Sequence, residues 1–89
     1  MAWRIEIDKS VQRSLRKLDK QIAKRITAKL REISELENPR STGKSLTGNM
    51  SGLWRYRVGD YRIIADIEDD ILVILVIEVV HRREAYKRN

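Results

Sequence analysis

Residues Leu53–Ile63 read LWRYRVGDYRI, two alternating runs joined by Gly59-Asp60. A two-residue connection with glycine at its first position is the signature of a type II′ β-hairpin. That turn sets the register, so Val58 faces Tyr61 and Arg57 faces Arg62. Residues two apart share a face of a sheet. Arg55, Arg57 and Arg62 therefore fall together on one side, while Trp54, Tyr56, Val58, Tyr61 and Ile63 fall on the other. Like charges opposed across a hairpin are destabilising, so the arginine side calls for an acid or a bound anion to neutralise it.

The segments around this hairpin complete a small α+β domain. Upstream, Trp3, Ile5 and Ile7 alternate with Arg4, Glu6 and Asp8, the pattern of a half-buried strand. Asp8 or Ser10 is placed to cap a helix with Val11, Leu15 and Leu18 at helical spacing. Asp19 is placed to cap a second helix, whose apolar stripe is Ile22, Ile26, Leu30 and Ile33, extended by Ala23. Its cations Lys20, Lys24, Arg25, Lys29 and Arg31 lie largely off that stripe and read as a solvated face. Asn38-Pro39 ends this helix, because the residue before proline resists the helical region. The Ser-, Thr-, Gly- and Asn-rich stretch from there to Gly52 reads as a loop. Beyond the hairpin, Tyr61–Ile67 and Ile71–Val80 read as strands around the acidic turn Glu68-Asp69-Asp70. The last run is apolar on both faces, as a central strand requires. The predicted order is β-α-α-β-β-β with a short C-terminal helical turn. Two N-terminal helices would pack on one face of a small, twisted, mostly antiparallel sheet, in one domain over residues 1–89.

Composition narrows the function. The 89-residue chain has no cysteine and one histidine, so it offers no disulfide, thiol nucleophile or thiolate metal site, and a zinc site is not expected. No apolar run reaches the roughly 18 residues of a membrane span, and the N-terminus lacks the apolar stretch of a signal peptide. A cytoplasmic protein without metal or cofactor and without membrane contact is the expectation. The net charge is +6, and between Arg40 and Arg62 five cations (Arg40, Lys44, Arg55, Arg57, Arg62) face the single acid Asp60. From His81 to the C-terminus Arg82, Arg83, Lys87 and Arg88 outnumber Glu84. This balance suits a polyanion, nucleic acid above all.

Arginine fits that partner because its planar fork binds phosphate oxygens in pairs and stays charged. Glu78 is a possible internal counter-charge. A three-residue acidic turn would put it on the arginine face and a two-residue turn on the core side, since a one-residue slip reverses the faces. The tail His81-Arg82-Arg83-Glu84-Ala85-Tyr86 follows the central strand directly, which places Arg82 at the sheet's end. His81 adds a proton carrier and Tyr86 an aromatic surface of the kind that holds splayed RNA bases.

With KSLTGNMSGLWRYRVGDYRII (44–64) and VVHRREAY (79–86), the chain resembles the RelE/ParE toxin superfamily of type II toxin–antitoxin pairs. The motif comprises Leu46, Gly48, Gly52, Trp54-Arg55, Arg57, Gly59 and Tyr61-Arg62, then His81-Arg82-Arg83 and Tyr86. Within the superfamily it is most similar to the RelE branch. The resemblance implies a ribosome-dependent endoribonuclease, an mRNA interferase that cuts mRNA in the decoding site and inhibits translation. It also implies a cognate RelB-like antitoxin, with operator DNA bound only by the toxin–antitoxin complex. The implied chemistry is metal-independent attack of a ribose 2′-hydroxyl on the adjacent phosphate. Arg55, Arg57, Arg62 and Arg82 would surround that phosphate, and Tyr86 would stack on a base. Members of this branch often carry lysine where Arg55 and Arg57 stand here, and arginine is a poor general base. That leaves His81 as the candidate proton carrier, with Glu78 and Glu84 as further candidates. ParE-type relatives share the fold as inhibitors of DNA gyrase, and a non-catalytic nucleic-acid-binding module would need the same basic face.

Overall fold

The computed structural model describes residues 3–85. The chain runs β1 (Arg4–Ile7), α1 (Lys9–Lys17), α2 (Lys20–Ser34), β2 (Lys44–Ser45), β3 (Trp54–Val58), β4 (Tyr61–Glu68), β5 (Val73–His81) and α3 (Arg82–Ala85). The strands form one sheet in the order β1-β5-β4-β3-β2, with β1 parallel to β5 and every other pair antiparallel. The expected order is present with one addition. The stretch read as loop holds the two-residue strand β2, which pairs Lys44 with Arg55 and Ser45 with Trp54. Two residues carry no alternation, so β2 left no periodic trace in the sequence.

Both long helices start on aspartate caps. The Asp8 carboxylate accepts from the Ser10 N–H and hydroxyl, and Asp19 Oδ1 accepts from the Gln21 N–H at 2.8 Å. The first pair holds the Asp8 carboxyl below its ordinary value, the Ser10 hydroxyl contributing most. α2 ends at Ser34, short of Asn38-Pro39, because the N–H groups of Glu35 and Leu36 turn back to the Glu32 and Ile33 carbonyls at 3.2 and 3.1 Å. Asn38 instead caps a single 3₁₀ turn over Pro39–Ser41.

The helices cover one face of the sheet. Val11, Ile26, Leu30 and Ile33 bury against Tyr56, Val58, Ile63, Ala65, Ile67, Ile74 and Val76. A buried side chain of this size contributes about 1.5–3 kcal/mol, so this single layer accounts for most of what holds the sheet to the helices. Tyr56 ties the loop to it by donating its hydroxyl to the Pro39 carbonyl at 2.6 Å. The hairpin has the expected register, Arg57 opposite Arg62 and Val58 opposite Tyr61. Gly59 has φ of +57° while Asp60 is not left-handed, the pattern of a II′ turn.

The acidic turn is longer than the sequence suggested. Ile71 and Leu72 belong to it and stand 65% and 47% exposed, and Ile67 pairs with Ile74. Further along, Ala65 pairs with Val76 but Ile64 pairs with Glu78, so Ile77 is an extra residue in β5. Ile74 and Val76 face the core before this bulge; Glu78 faces away from it after. Among the described residues no helix is long and apolar enough to cross a membrane.

Candidate functional site

The face of the sheet away from the helices is ordered by charge. Cross-strand partners share a face, so its rows follow from the register. At the hairpin end lie Arg57, Arg62 and Val80, and next to them Lys44, Arg55, Ile64 and Glu78. Asp66, Leu75 and Glu6 form the following row, and Glu68, Val73 and Arg4 the last. Cations thus dominate one half, with Glu78 the carboxylate among them, and carboxylates dominate the other, with Arg4 among them. A side-chain hydrogen bond that the Glu68 carboxyl donates to Asp66, and then the negative charge of Asp66, push Glu68 above its ordinary value. A polyanion laid on this face is drawn to the hairpin half and repelled from the far one.

Arg62 is the centre of the basic half. It is only 7% exposed, its Nε has no hydrogen-bond partner, and no carboxylate among the described residues pairs with it. Directly across the hairpin stands another cation, the exposed Arg57. Removing a charged group from water costs several kcal/mol unless a counter-charge offsets it. An anion seated here would provide that offset. Arg55, half-buried, completes the group from the neighbouring row.

The C-terminal segment reaches the same end of the sheet. The Arg82 N–H donates to the Asp60 carbonyl at 2.6 Å, and its guanidinium lies 3.7 Å from the Asp60 carboxylate. Arg82 is thereby held at the hairpin turn. His81 is not brought to the arginines. It pairs with Tyr61, whose ring it meets edge-on with centroids 5.3 Å apart, and shares a hollow with Ile22 and Arg25 of α2. Its Nδ1 accepts the Arg83 N–H at 3.2 Å, which fastens the start of α3. Both contacts put His81 on the helix side. Glu78 is the carboxylate that the bulge brings to the arginine face. Tyr86 lies outside the described residues, as does the side chain of Glu84.

Residues 5–86 match the family model described as the ParE toxin of the type II toxin–antitoxin system parDE. The chain belongs to the ParE toxin family. Toxin RelE of Mycobacterium tuberculosis is 35% identical over 54 residues, 61% of this chain and 56% of that relative. The chain thus matches little more than half the length of that curated relative. Among solved structures, the archaeal RelE–RelB complex of Pyrococcus horikoshii is 32% identical with a TM-score of 0.71, covering 96% of this chain and 100% of that one. A mutant of the E. coli toxin RelE in the free state is 26% identical with a TM-score of 0.78, covering 96% and 88%. Two helices on an open, five-stranded, mostly antiparallel sheet are the fold these toxins share.

Two cations of the toxin escaped the sequence reading. Lys44 counts among the basic residues, but only its pairing with Arg55 puts it on the arginine face. Lys29 was assigned to a solvated helix face, yet it lines a pocket together with Lys44, Arg55 and Arg57. Nothing in the periodicity of α2 distinguishes Lys29 from Lys24, since the difference is which of them reaches the edge of the sheet. Among the described residues no group of three or more His, Cys, Asp or Glu is placed to hold a metal ion. Chemically, the hairpin half of the face offers concentrated, permanent positive charge with the Glu78 carboxylate at its border.

Proposed function

We propose that this toxin is a RelE-type endoribonuclease that cuts mRNA on the ribosome and so inhibits translation. The observation that carries the reading is the buried Arg62, held without a counter-charge among the described residues, beside Arg57 and Arg55. A structural sheet gains nothing from that arrangement, whereas a phosphate-transfer site requires it. As the 2′-hydroxyl attacks the adjacent phosphorus, negative charge grows on the non-bridging oxygens of the pentacoordinate phosphate. Guanidinium groups fixed in advance stabilise that charge more than they stabilise the ground state. The products are a 2′,3′-cyclic phosphate and a 5′-hydroxyl.

The hydroxyl proton needs an acceptor, and Glu78 takes this role in place of His81, because it shares the arginine face. The departing 5′-oxygen is held by arginine until solvent protonates it. In this mechanism the guanidiniums supply the positive charge, so cleavage should persist in a chelator. The archaeal toxin of similar sequence was solved as a RelE–RelB complex, which supports a RelB-like antitoxin as partner here. Operator DNA would then be met by the pair rather than by the toxin alone.

Programmed ribosomes incubated with purified toxin test the reading. The expected result is new mRNA ends in the decoding site that carry cyclic phosphate, lost on Arg62→Ala. A protein that never cuts programmed ribosomes but blocks supercoiling by DNA gyrase would replace this reading with gyrase inhibition.

A further inference from the structure

Strand β2 covers only the first part of the outer edge of β3, pairing with Trp54 and Arg55 and leaving Tyr56–Val58 without a strand neighbour on that edge. A pocket of about 270 Å³ opens there, lined by Lys29 of α2, by Gly43 and Lys44, and by Arg55, Tyr56 and Arg57. Four of its six lining residues are cations and none is a carboxylate. The walls are held in place. Trp54 Nε1 donates to the Thr42 carbonyl at 2.7 Å, and the Tyr56 hydroxyl is tied to Pro39. Gly43 has φ of +77°, and a Cβ there would stand 2.4 Å from the Arg55 carbonyl oxygen. The loop therefore lies flat against the strand because residue 43 has no side chain. The volume falls below the roughly 300–1,000 Å³ of pockets that enclose a drug-sized ligand. It suits one small, strongly charged group.

We infer that this pocket is a second phosphate subsite, which holds a backbone phosphate of the single-stranded RNA next to the one being cut. Arg57 belongs to both places, since it lines the pocket and stands directly opposite Arg62. A strand whose scissile phosphate sits on Arg62 has its neighbouring phosphate within reach of Lys29 and Lys44 as it leaves the sheet edge. Lys29, half-buried against the pocket, is only loosely engaged elsewhere, because its ion pair with the exposed Glu32 is a long one at 3.9 Å. The subsite would set the direction in which the RNA crosses the face: off the edge at β3, away from the carboxylate half. The inference rests on reading the arginine face as an RNA site.

The test is binding of a labelled, single-stranded, 2′-O-methyl RNA hexamer that cannot be cut, measured by anisotropy across salt. Single strands lose affinity with a slope of about −0.7 in log–log salt dependence per phosphate neutralised. The double variant Lys29→Gln/Lys44→Gln should bind more weakly, with a slope shallower by about 0.7. The gap from the parent toxin then narrows about 2.6-fold between about 50 and 200 mM salt. Lys29→Arg/Lys44→Arg should restore the parent slope.

Neutral methylphosphonates introduced one linkage at a time should weaken the parent toxin at two adjacent positions. The Gln variant should respond at only one of them, and Arg62→Met should respond only at the other. A Gln variant with the parent slope and the parent two-position profile overturns the subsite. If ribosomes are cut normally in that case, the proposed nuclease stands and the pocket alone falls. If ribosomes are never cut but the two-position profile appears, the subsite stands as part of an RNA-binding face without that activity.

Discussion

Arg62→Met should make the toxin more stable and inactive at once. The side chain is 7% exposed and its Nε is unbonded, while Arg57 lies directly opposite. Two unit charges about 6 Å apart repel by roughly 0.7 kcal/mol in water and about 3 kcal/mol at the effective dielectric near a protein surface. Desolvation of the buried guanidinium adds to this. Methionine keeps an unbranched stem in the same channel and removes the charge. Replacing even a buried ion pair by apolar groups of similar volume is often neutral or stabilising by about 1–4 kcal/mol. Arg62 has no paired carboxylate to lose among the described residues, so a gain of about 1–3 kcal/mol is expected. For a domain of this size each kcal/mol raises Tm by about 4–8 °C. Urea denaturation and thermal melts followed by circular dichroism supply the numbers, and ribosome cleavage supplies the activity. The exposed Arg57→Met should gain less. Uncleavable RNA should raise the melting temperature of the parent toxin but have little effect on Arg62→Met, since only a ligand that binds the folded state stabilises it. Should Arg62→Met lose a kcal/mol or more of stability, the arginine is a satisfied structural cation and the argument for a phosphate at this position collapses.

Further outcomes follow from other parts of the structure. Glu78→Gln should slow cleavage on ribosomes by about 10²–10⁴-fold, the usual contribution of a general base, whereas His81→Ala should cost less than about tenfold and should leave the shape of the pH profile unchanged. The reverse pattern in single-turnover cleavage would return the proton to His81. Burial pushes the Tyr56 phenol up to about 12, with the charge of Arg40 opposing it in part. Its folded value lies above its unfolded one of about 10, so it contributes stability that is fully present below about pH 10 and fades as pH rises through 12. Ultraviolet titration should find Tyr56 ionising only in step with alkaline unfolding; a Tyr56 phenol titrating at pH 10 in the folded protein would contradict its burial. Gly43→Ala should destabilise by several kcal/mol, because the new Cβ meets backbone at 2.4 Å. Gly52→Ala, with nothing within 4 Å of its Cβ, should cost only the roughly 1–2 kcal/mol of left-handed strain. Equal urea midpoints for the two alanine variants would refute that distinction.

The sequence by itself determined whatever depends on neighbours along the chain. Asp8 and Asp19 announce their helices because a carboxylate one residue ahead satisfies N–H groups of the first turn. Gly59-Asp60 determines the hairpin because a two-residue turn leaves one register, and that register alone puts Arg55, Arg57 and Arg62 on one face. Contacts between distant segments decided the rest. Strand β2 exists only because the loop lies against β3 across Gly43, and Lys29 joins the site only because α2 crosses that edge. Most consequential is Ile77. With strict alternation from Val76, Glu78 would point into the core and His81 onto the arginine face. One extra residue in β5 reverses both, bringing the carboxylate to the arginines and turning the imidazole to Tyr61. A bulge leaves no mark in a run of valines and isoleucines, since each of them is content on either face. It forms where it keeps a carboxylate out of the core, and that is settled only when helices cover one side of the sheet.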